Sequence, residues 1–520
     1  MPLVDWLLTA AERGNPATVI DAAHPDGQAW SEGNLVRPLV HGVPYFRELA
    51  AAVERMVADD LLLFVDWRGD PDERMTGEPG SEVASVLSQA AERGVRVHGL
   101  IWRSHWDKLA FSAQENRHLD EDINRAGGSC ILDMRVRSGG SHHQKFVVLR
   151  HPGRPEHDVA FVGGIDLCHS RRDDADHDGD PQRQPMAAVY GPRPPWHDVQ
   201  LRITGPVVAD VETVFRERWN DPQPPSRSPL RRIADRERKD DAPASALPAQ
   251  LPPPAAVGEH TVQLLRTYPR RRGGYPFAPH GERSVARGYL KALRQARTLI
   301  YVEDQYLWSK DVGQRIGAAL TEHPGLHMIA VVPHHPDQDG RFSLPPNIVG
   351  RQAALAAIRS AAPDRVALYG LENHAGTPVY VHAKVCVIDD QWASVGSDNF
   401  NRRSWTHDSE LTVAVWDSER TGGGARRYPR DLRLTLAREH LDQPDADLDA
   451  ASMFGAFAES AAALQGWHDG GRTGTRPPGR LRPLQEEPPS RVTRAWAGPL
   501  YRTVYDPDAR PLLRRLRGTY

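Results

Sequence analysis

Apolar and polar positions along this chain fall into two periods, helical and strand-like, and their succession occurs twice. In "VPYFRELAAAVERMVADD", Phe46, Leu49, Val53 and Met56 recur at helical spacing. "LLLFVDW" follows as a short unbroken apolar run, the pattern of a buried strand. "SEVASVLSQAAERG" predicts a helix closed by glycine, and "VRVHGLIW" a further strand. Beyond residue 280 the same order returns: helical "GERSVARGYLKALRQA", strand "TLIYVEDQYLW", helical "VGQRIGAALTEHPG", strand "LHMIAVVP". Each half then reaches an apolar strand opened by a histidine and a lysine, "SHHQKFVVLR" and "VHAKVCVIDD". "DVAFVGGIDL" next stands opposite "WASVGSDNF", and "HDVQLRITG" opposite "DSELTVAVW". The closing helices are "PVVADVETVFRERW" and "RDLRLTLAREHL". This is an internal duplication of an α/β unit of about 180 residues. The fold class is therefore α/β: two tandem α/β/α domains, with mixed sheets flanked by helices, forming a pseudo-two-fold dimer within one chain.

The pattern divides the chain into a lead (1–35), a first domain (36–220), a linker (221–258), a second domain (259–445) and a tail (446–520). The linker is rich in Pro, Arg, Asp and Ala and keeps neither period. The tail contains "GGRTGTRPPGRLRPLQEEPPS" and is expected to be partly disordered.

Composition narrows the function. A chain of 520 residues with net charge −3 has no chain-wide footprint for nucleic acid, so none is expected as partner. Its cysteines, Cys130, Cys168 and Cys386, form neither a disulfide framework nor a CxxC pair, so no structural zinc and no metal site is expected. The N-terminus lacks a signal-peptide pattern, and no window is apolar enough to span a membrane. The expectation is a soluble cytoplasmic monomer that meets any membrane substrate peripherally.

The chemistry lies in the repeated strand. Alternate residues of a strand face one side, so His143 with Lys145, and His382 with Lys384, project together. Two such strands at a pseudo-two-fold interface would gather two imidazoles and two ammonium groups in one pocket. One imidazole can attack a phosphodiester phosphorus. The other can protonate the leaving oxygen and then activate water. Two lysines can neutralise the non-bridging oxygens, the work of a metal ion elsewhere. Asp198 and Glu410, at matching places, suit the orienting of the imidazoles. The turn residues Asp166 and Asn399 match in position, as do Gly164 and Ser397, and line the expected phosphate site.

These pieces resemble the phospholipase D superfamily, whose signature is two H-x-K-x-x-x-x-D motifs, and within it the plant and actinobacterial branch. The resemblance rests on "HHQKFVVL", "FVGGIDLC", "PWHDVQLRITGPV", "IYVEDQYLW", "VHAKVCVIDD", "GSDNFNRRSW" and "HDSELTVAV", across residues 40–441. It implies His143 as nucleophile, His382 as general acid and base, and Lys145, Lys384 and Asn399 as phosphate ligands. It implies Asp198 and Glu410 as orienting residues, with Asp166 in the "GGIDL" turn. The implied activity is metal-independent cleavage of a phosphatidylcholine-like phospholipid to phosphatidic acid and a headgroup alcohol, with transphosphatidylation from the same site. The alternatives are a cardiolipin synthase-like phosphatidyltransferase, a nuclease of the superfamily, and a non-catalytic binding protein.

Two departures stand out. Arg150 replaces the aspartate of the first motif and reads as a change in local ion pairing. The lead is too short for the calcium-dependent β-sandwich of plant members, so no cofactor is expected and calcium dependence is left open. Other residues carry weaker signals. His142, on the opposite strand face from His143, is either structural or a substrate contact, and His197 reads as structural. Arg402 and Arg403 read as a solvated basic pair, and the loop 169–180, "HSRRDDADHDGD", is a weak cation signature.

Overall fold

The fold is described from a computed structural model, which covers residues 2–104, 113–224, 232–233, 236, 244–338, 344–484 and 489–520. Most of the linker therefore lies outside the described residues.

The first half contributes β1 (Ser31–Val40), β2 (Leu61–Asp66), β3 (Arg96–Trp102), β4 (Ser129–Asp133), β5 (Phe146–Arg150), β6 (Val159–Gly163), the short β7 (Trp196–His197), which pairs outside its sheet, and β8 (Val199–Thr204). The second half builds β9 (His260–Tyr268), the short β10 (Glu282–Arg283), β11 (Leu299–Glu303), β12 (His327–Val331), β13 (Val366–Glu372), β14 (Pro378–Val381), β15 (Val385–Ile388), β16 (Trp392–Gly396) and β17 (Glu410–Asp417). The first sheet runs β4-β3-β2-β5-β6-β8-β1, with β2, β3 and β4 parallel and the rest antiparallel. The second runs β13-β12-β11-β15-β16-β17-β9 with the same pattern of directions. The two orders superimpose strand for strand, so the duplication read in the sequence is a duplication of topology.

The inner faces meet in a shared core. Val148, Val162 and Leu201 of the first half join Val387, Val395 and Val413 of the second in one buried cluster. The helices Val207–Trp219 and Arg427–Leu441 pack into the same cluster, which takes alternate residues of the strands. Helices cover the outer faces: Gly42–Glu54, Val83–Glu92 and Ala113–Arg125 on the first sheet, and Ser284–Gln295, Lys310–Glu322 and Leu344–Ala361 on the second. The halves are also joined through backbone, by β1 with β9 and by β7 with β14.

The flanking segments are built into this body. In the lead, Trp6, Leu7, Leu8 and Trp30 enter the outer core of the second half. The described part of the linker lies along the first half, where Trp219 Nε1 donates to Ser245 O at 2.8 Å and Gln250 Nε2 to Ala209 O at 2.8 Å. Of the tail stretch expected to be partly disordered, residues 485–488 lie outside the described residues, and the described part carries regular structure. It supplies a helix, Met453–Asp469, a strand, β18 (Leu481–Pro483), antiparallel to β13, and a helix, Arg491–Leu500. Its end is anchored too, since Tyr520 is buried and its hydroxyl donates to Asp311. Among the described residues no helix is long and apolar enough to cross a membrane. All three cysteines are free and buried.

Candidate active site

β5 and β15 are equivalent strands, and His143–Lys145 and His382–Lys384 lie just before them. A backbone hydrogen bond to the opposite half fixes the start of each motif. His143 N donates to Ser409 O at 2.9 Å, and His382 N donates to His197 O at 2.8 Å. The neighbours of those acceptors are the orienting carboxylates, and they are exchanged between halves. His143 Nδ1 lies 2.9 Å from Glu410 Oε2, and His382 Nδ1 lies 2.6 Å from Asp198 Oδ2. Sequence spacing singles out both carboxylates but does not say which imidazole each one serves. With Nδ1–H donating to a carboxylate, the Nε2 lone pair of each ring is left for substrate.

The lysines are buried and tethered by carbonyls. Lys145 Nζ donates to His143 O at 3.0 Å and lies 3.6 Å from Asp166 Oδ1. Lys384 Nζ donates to His382 O and to Gln305 Oε1, the latter at 3.3 Å. Burial pushes Lys384 down to about 8, with Lys145 acting in the same direction and Asp198 against it. Burial, then the charges of Lys384, Arg171 and Lys145, hold the His382 imidazole well below its ordinary value. A phosphodiester anion among those cations would oppose this shift.

The turns after β6 and β16 shape the floor. Asp166 accepts the amides of Trp67 and Arg68, each at 3.2 Å. Burial raises its carboxyl, but Lys145, Arg171 and a hydrogen bond from Asp66 outweigh that and hold it at about 2. Burial and Asp166 together push the Asp66 carboxyl well up. Asn399 is buried, and among the described residues its Oδ1 has no hydrogen-bond partner. Ser397 Oγ donates to Glu410 Oε2 at 2.6 Å. At the equivalent place, Gly164 makes room: a Cβ there would lie 2.2 Å from Asp198 Oδ1. A Gly164→Ala variant is therefore expected to displace the Asp198 carboxylate from His382. Turnover should fall about 100-fold, as for an angstrom-scale misplacement. Steady-state kinetics and a circular-dichroism melt check this, the expected pattern being a lower kcat with little change in KM or melting temperature.

All ten residues singled out from the sequence lie at or beside this junction. Several neighbours were missed. Gln305 holds Lys384, and buried Arg171 stacks its guanidinium 3.8 Å over the ring of Trp196, whose ring lies 5.0 Å from that of His382. Trp67 lies 6.2 Å from the His143 ring. Arg171 falls in the loop read only as a weak cation signature, and nothing in its spacing points to the pocket. His142 is structural: it is buried, with Nε2 3.0 Å from Gln144 Oε1 and Nδ1 3.7 Å from Asp133. Arg402 and Arg403 are not a solvated pair. Arg402 donates to Asp506 O, and Arg403 donates to Asp408 Oδ2 at 2.7 Å and to Gly139 O at 2.8 Å.

Known proteins are similar to this chain in sequence and fold. The phospholipase D family model matches residues 72–313, and that described as cardiolipin synthase, PLD-like domain, matches residues 289–423. Phospholipase D alpha 1 of Cynara cardunculus is 26% identical over 489 residues, covering 71% of this chain and 60% of its own. Phospholipase D alpha 1 of Arabidopsis thaliana is 25% identical, covering 72% and 61%. Phospholipase D1 of Saccharomyces cerevisiae is 26% identical, covering 78% of this chain but 28% of its own. The chain thus spans about three-fifths of the plant relatives. Among solved structures, the phosphatidylserine synthase of Haemophilus influenzae superimposes with a TM-score of 0.52 at 14% identity, covering 79% of this chain and 86% of its own, a likeness of fold. Two matching family models, one over each histidine–lysine motif, and a duplicated sheet that brings the motifs together identify this chain as a member of the phospholipase D superfamily.

Proposed function

We propose that this protein is a phospholipid phosphodiesterase that works through a covalent phosphohistidine and transfers the phosphatidyl group to water or to an alcohol. The observation that carries this reading is the exchanged bracing of the site: two imidazoles, each held through Nδ1 by a carboxylate of the other half, beside two buried lysines.

The steps follow from the geometry. Nε2 of His143 attacks phosphorus while the lysines and Asn399 bind the non-bridging oxygens. The bond from phosphorus to the headgroup oxygen breaks, and His382 gives that oxygen its proton. The headgroup leaves as the free alcohol. His382, now neutral, takes a proton from water or an added alcohol, whose oxygen attacks phosphorus and releases Nε2 of His143. The products are phosphatidic acid from water, or a new phosphatidyl ester from an alcohol. No step needs a metal at the reacting centre, because the buried ammonium groups supply the positive charge. The protein would act as a monomer from the membrane surface.

The test is release of choline and phosphatidic acid from phosphatidylcholine micelles with no divalent cation added, with a parallel sample containing ethanol. Both products, and phosphatidylethanol in the second sample, are expected. Silence toward phosphatidylcholine, phosphatidylethanolamine and phosphatidylserine would overturn the reading. The match of residues 289–423 to the cardiolipin synthase description favours one rival, a phosphatidyltransferase. It would make cardiolipin from phosphatidylglycerol and release little phosphatidic acid.

A further inference from the structure

Beside the Asp198 peptide, whose carbonyl accepts the amide of His41, lies a second cluster of histidines. His41, His177 and His197 surround the carboxylate of Glu439, and these four side chains each offer a ligand atom within 4.8 Å of the others. His41 Nε2 lies 2.9 Å from Glu439 Oε2, His177 Nε2 lies 3.1 Å from Oε1, and His197 Nδ1 lies 3.5 Å from Oε1. All three histidines are buried. We infer that this cluster is a structural site for a divalent transition metal, with zinc the best fit, which ties the two halves together beside the Asp198 peptide.

Three observations carry the inference. The first is geometric. Four ligands at about 2.0–2.1 Å around a tetrahedral zinc stand about 3.3 Å from one another; here the three nitrogen-to-oxygen separations, one to Oε2 and two to Oε1 of Glu439, run from 2.9 to 3.5 Å, and all four ligand atoms lie within 4.8 Å, close enough for small side-chain shifts to seat an ion. Three imidazoles and one carboxylate are a borderline set that suits zinc, and four protein ligands leave no open position for catalysis.

The second is the way His197 is held. Its Nε2 lies 2.6 Å from Glu303 Oε2, and Glu303 also accepts from His440 Nε2 at 2.7 Å and from the Tyr301 hydroxyl. A carboxylate on Nε2 fixes the proton there and leaves Nδ1 bare, as second-shell carboxylates do for metal-bound imidazoles. The bare Nδ1 is buried without a hydrogen-bond partner and faces the Glu439 oxygen. A lone pair facing a carboxylate is repulsive unless a cation lies between them. The competing cation is a proton: burial lowers His197, but Glu303 and Glu439 outweigh it and raise it to about 10.

The third is the backbone. His41 holds a left-handed conformation, φ 71°, unusual for a residue with a Cβ and seldom kept without a local cause. Its amide donates to Asp198 O at 2.9 Å, while His197 O accepts the amide of His382 at 2.8 Å. The ligands come from the end of β1, the loop after β6, β7 and the helix Arg427–Leu441 of the other half. A bound ion would therefore clamp the peptide that carries the Asp198 carboxylate. Its role would be positioning, not chemistry.

The experiment is elemental analysis of the untagged full-length protein after dialysis against metal-free buffer. About one zinc ion per chain is expected in wild type, and less than about a tenth in His177→Gln and Glu439→Gln. His374→Gln, which alters an exposed histidine near Asp442, should retain the ion. Cobalt(II) grown into wild-type protein should show the visible d–d bands of a tetrahedral site, a readout that needs no variant to fold. Metal-free wild type from zinc-supplemented culture, with no such bands, would overturn the inference and leave the protonated cluster. So would a metal content that survives in both folded ligand variants. Neither readout depends on the substrate, so failure here leaves the phosphodiesterase reading untouched.

Discussion

His143→Ala and His382→Ala are each expected to lose at least about 10⁴-fold in phospholipid turnover, because each deletes a group that makes or breaks a bond at phosphorus. The two losses should differ in kind. A phosphatidyl ester of p-nitrophenol has a leaving group that departs as a stable anion and needs no proton. With this substrate the His382 variant should recover the first step, releasing nitrophenolate in one burst. It should then stall as an acid-labile phosphohistidine, because no imidazole remains to activate water. The His143 variant should give neither burst nor label. Mapping the labelled peptide checks the order of attack directly. Label on His382 in the His143 variant would reverse the assigned roles, since the pseudo-two-fold gives both imidazoles the same kind of partner.

Restoring the family aspartate, Arg150→Asp, is expected to destabilise the protein by more than the about 3–5 kcal/mol typical of breaking a buried ion pair. Arg150 is fully buried; Nε donates to Asp158 Oδ2 at 2.9 Å, Nη1 to Glu212, and Nη2 to Pro252 O of the linker at 2.6 Å. Aspartate here would place a third carboxylate beside two others. The second motif shows what the usual residue does: Asp389 accepts the amides of Arg297, Thr298 and Leu299 at 2.6, 2.8 and 2.7 Å. In the first half two of the three matching amides are already served by carbonyls, Asp59 N by Gly94 O at 2.9 Å and Asp60 N by Val57 O at 3.1 Å. Urea melts should show the loss, and Arg150→Met combined with Asp158→Asn and Glu212→Gln should regain much of it. Activity per folded molecule should stay near wild type in that triple variant. Along a strand at about 3.3 Å per residue, Arg150 is about 16 Å beyond Lys145.

The duplication, both catalytic strands and the matching turns were legible because each leaves a local mark, an apolar run or a residue at fixed offset. What was not legible is long-range. His143 meets Glu410 across 267 residues and His382 meets Asp198 across 184, and only the packing of the two sheets decides that they cross over. The tail's strand left no mark in composition. The surrounding Pro- and Gly-rich stretch resembles a disordered segment, yet the three residues Leu481–Pro483 at its centre pair with β13. The histidine cluster was hidden differently, since His41, His177, His197 and Glu439 lie in four separate segments with no metal-binding spacing. Only His177, within the loop read as a weak cation signature, gave any hint.

The crossed carboxylates bear on how such a chain could have arisen and diverged. A single ancestral unit, paired with a copy of itself, would have lent its carboxylate to its partner and borrowed one in return, so neither could act alone. While the two were products of one gene, any change at the strand end had to suit both copies. Fusion into one polypeptide lifted that constraint. The first copy could adopt an arginine that grips the connecting segment, while the second kept the aspartate that closes its own sheet. Even the lent carboxylates differ, Asp198 beside Gly164 in one copy and Glu410 beside Ser397 in the other, so each crossed pair can change with its own partners.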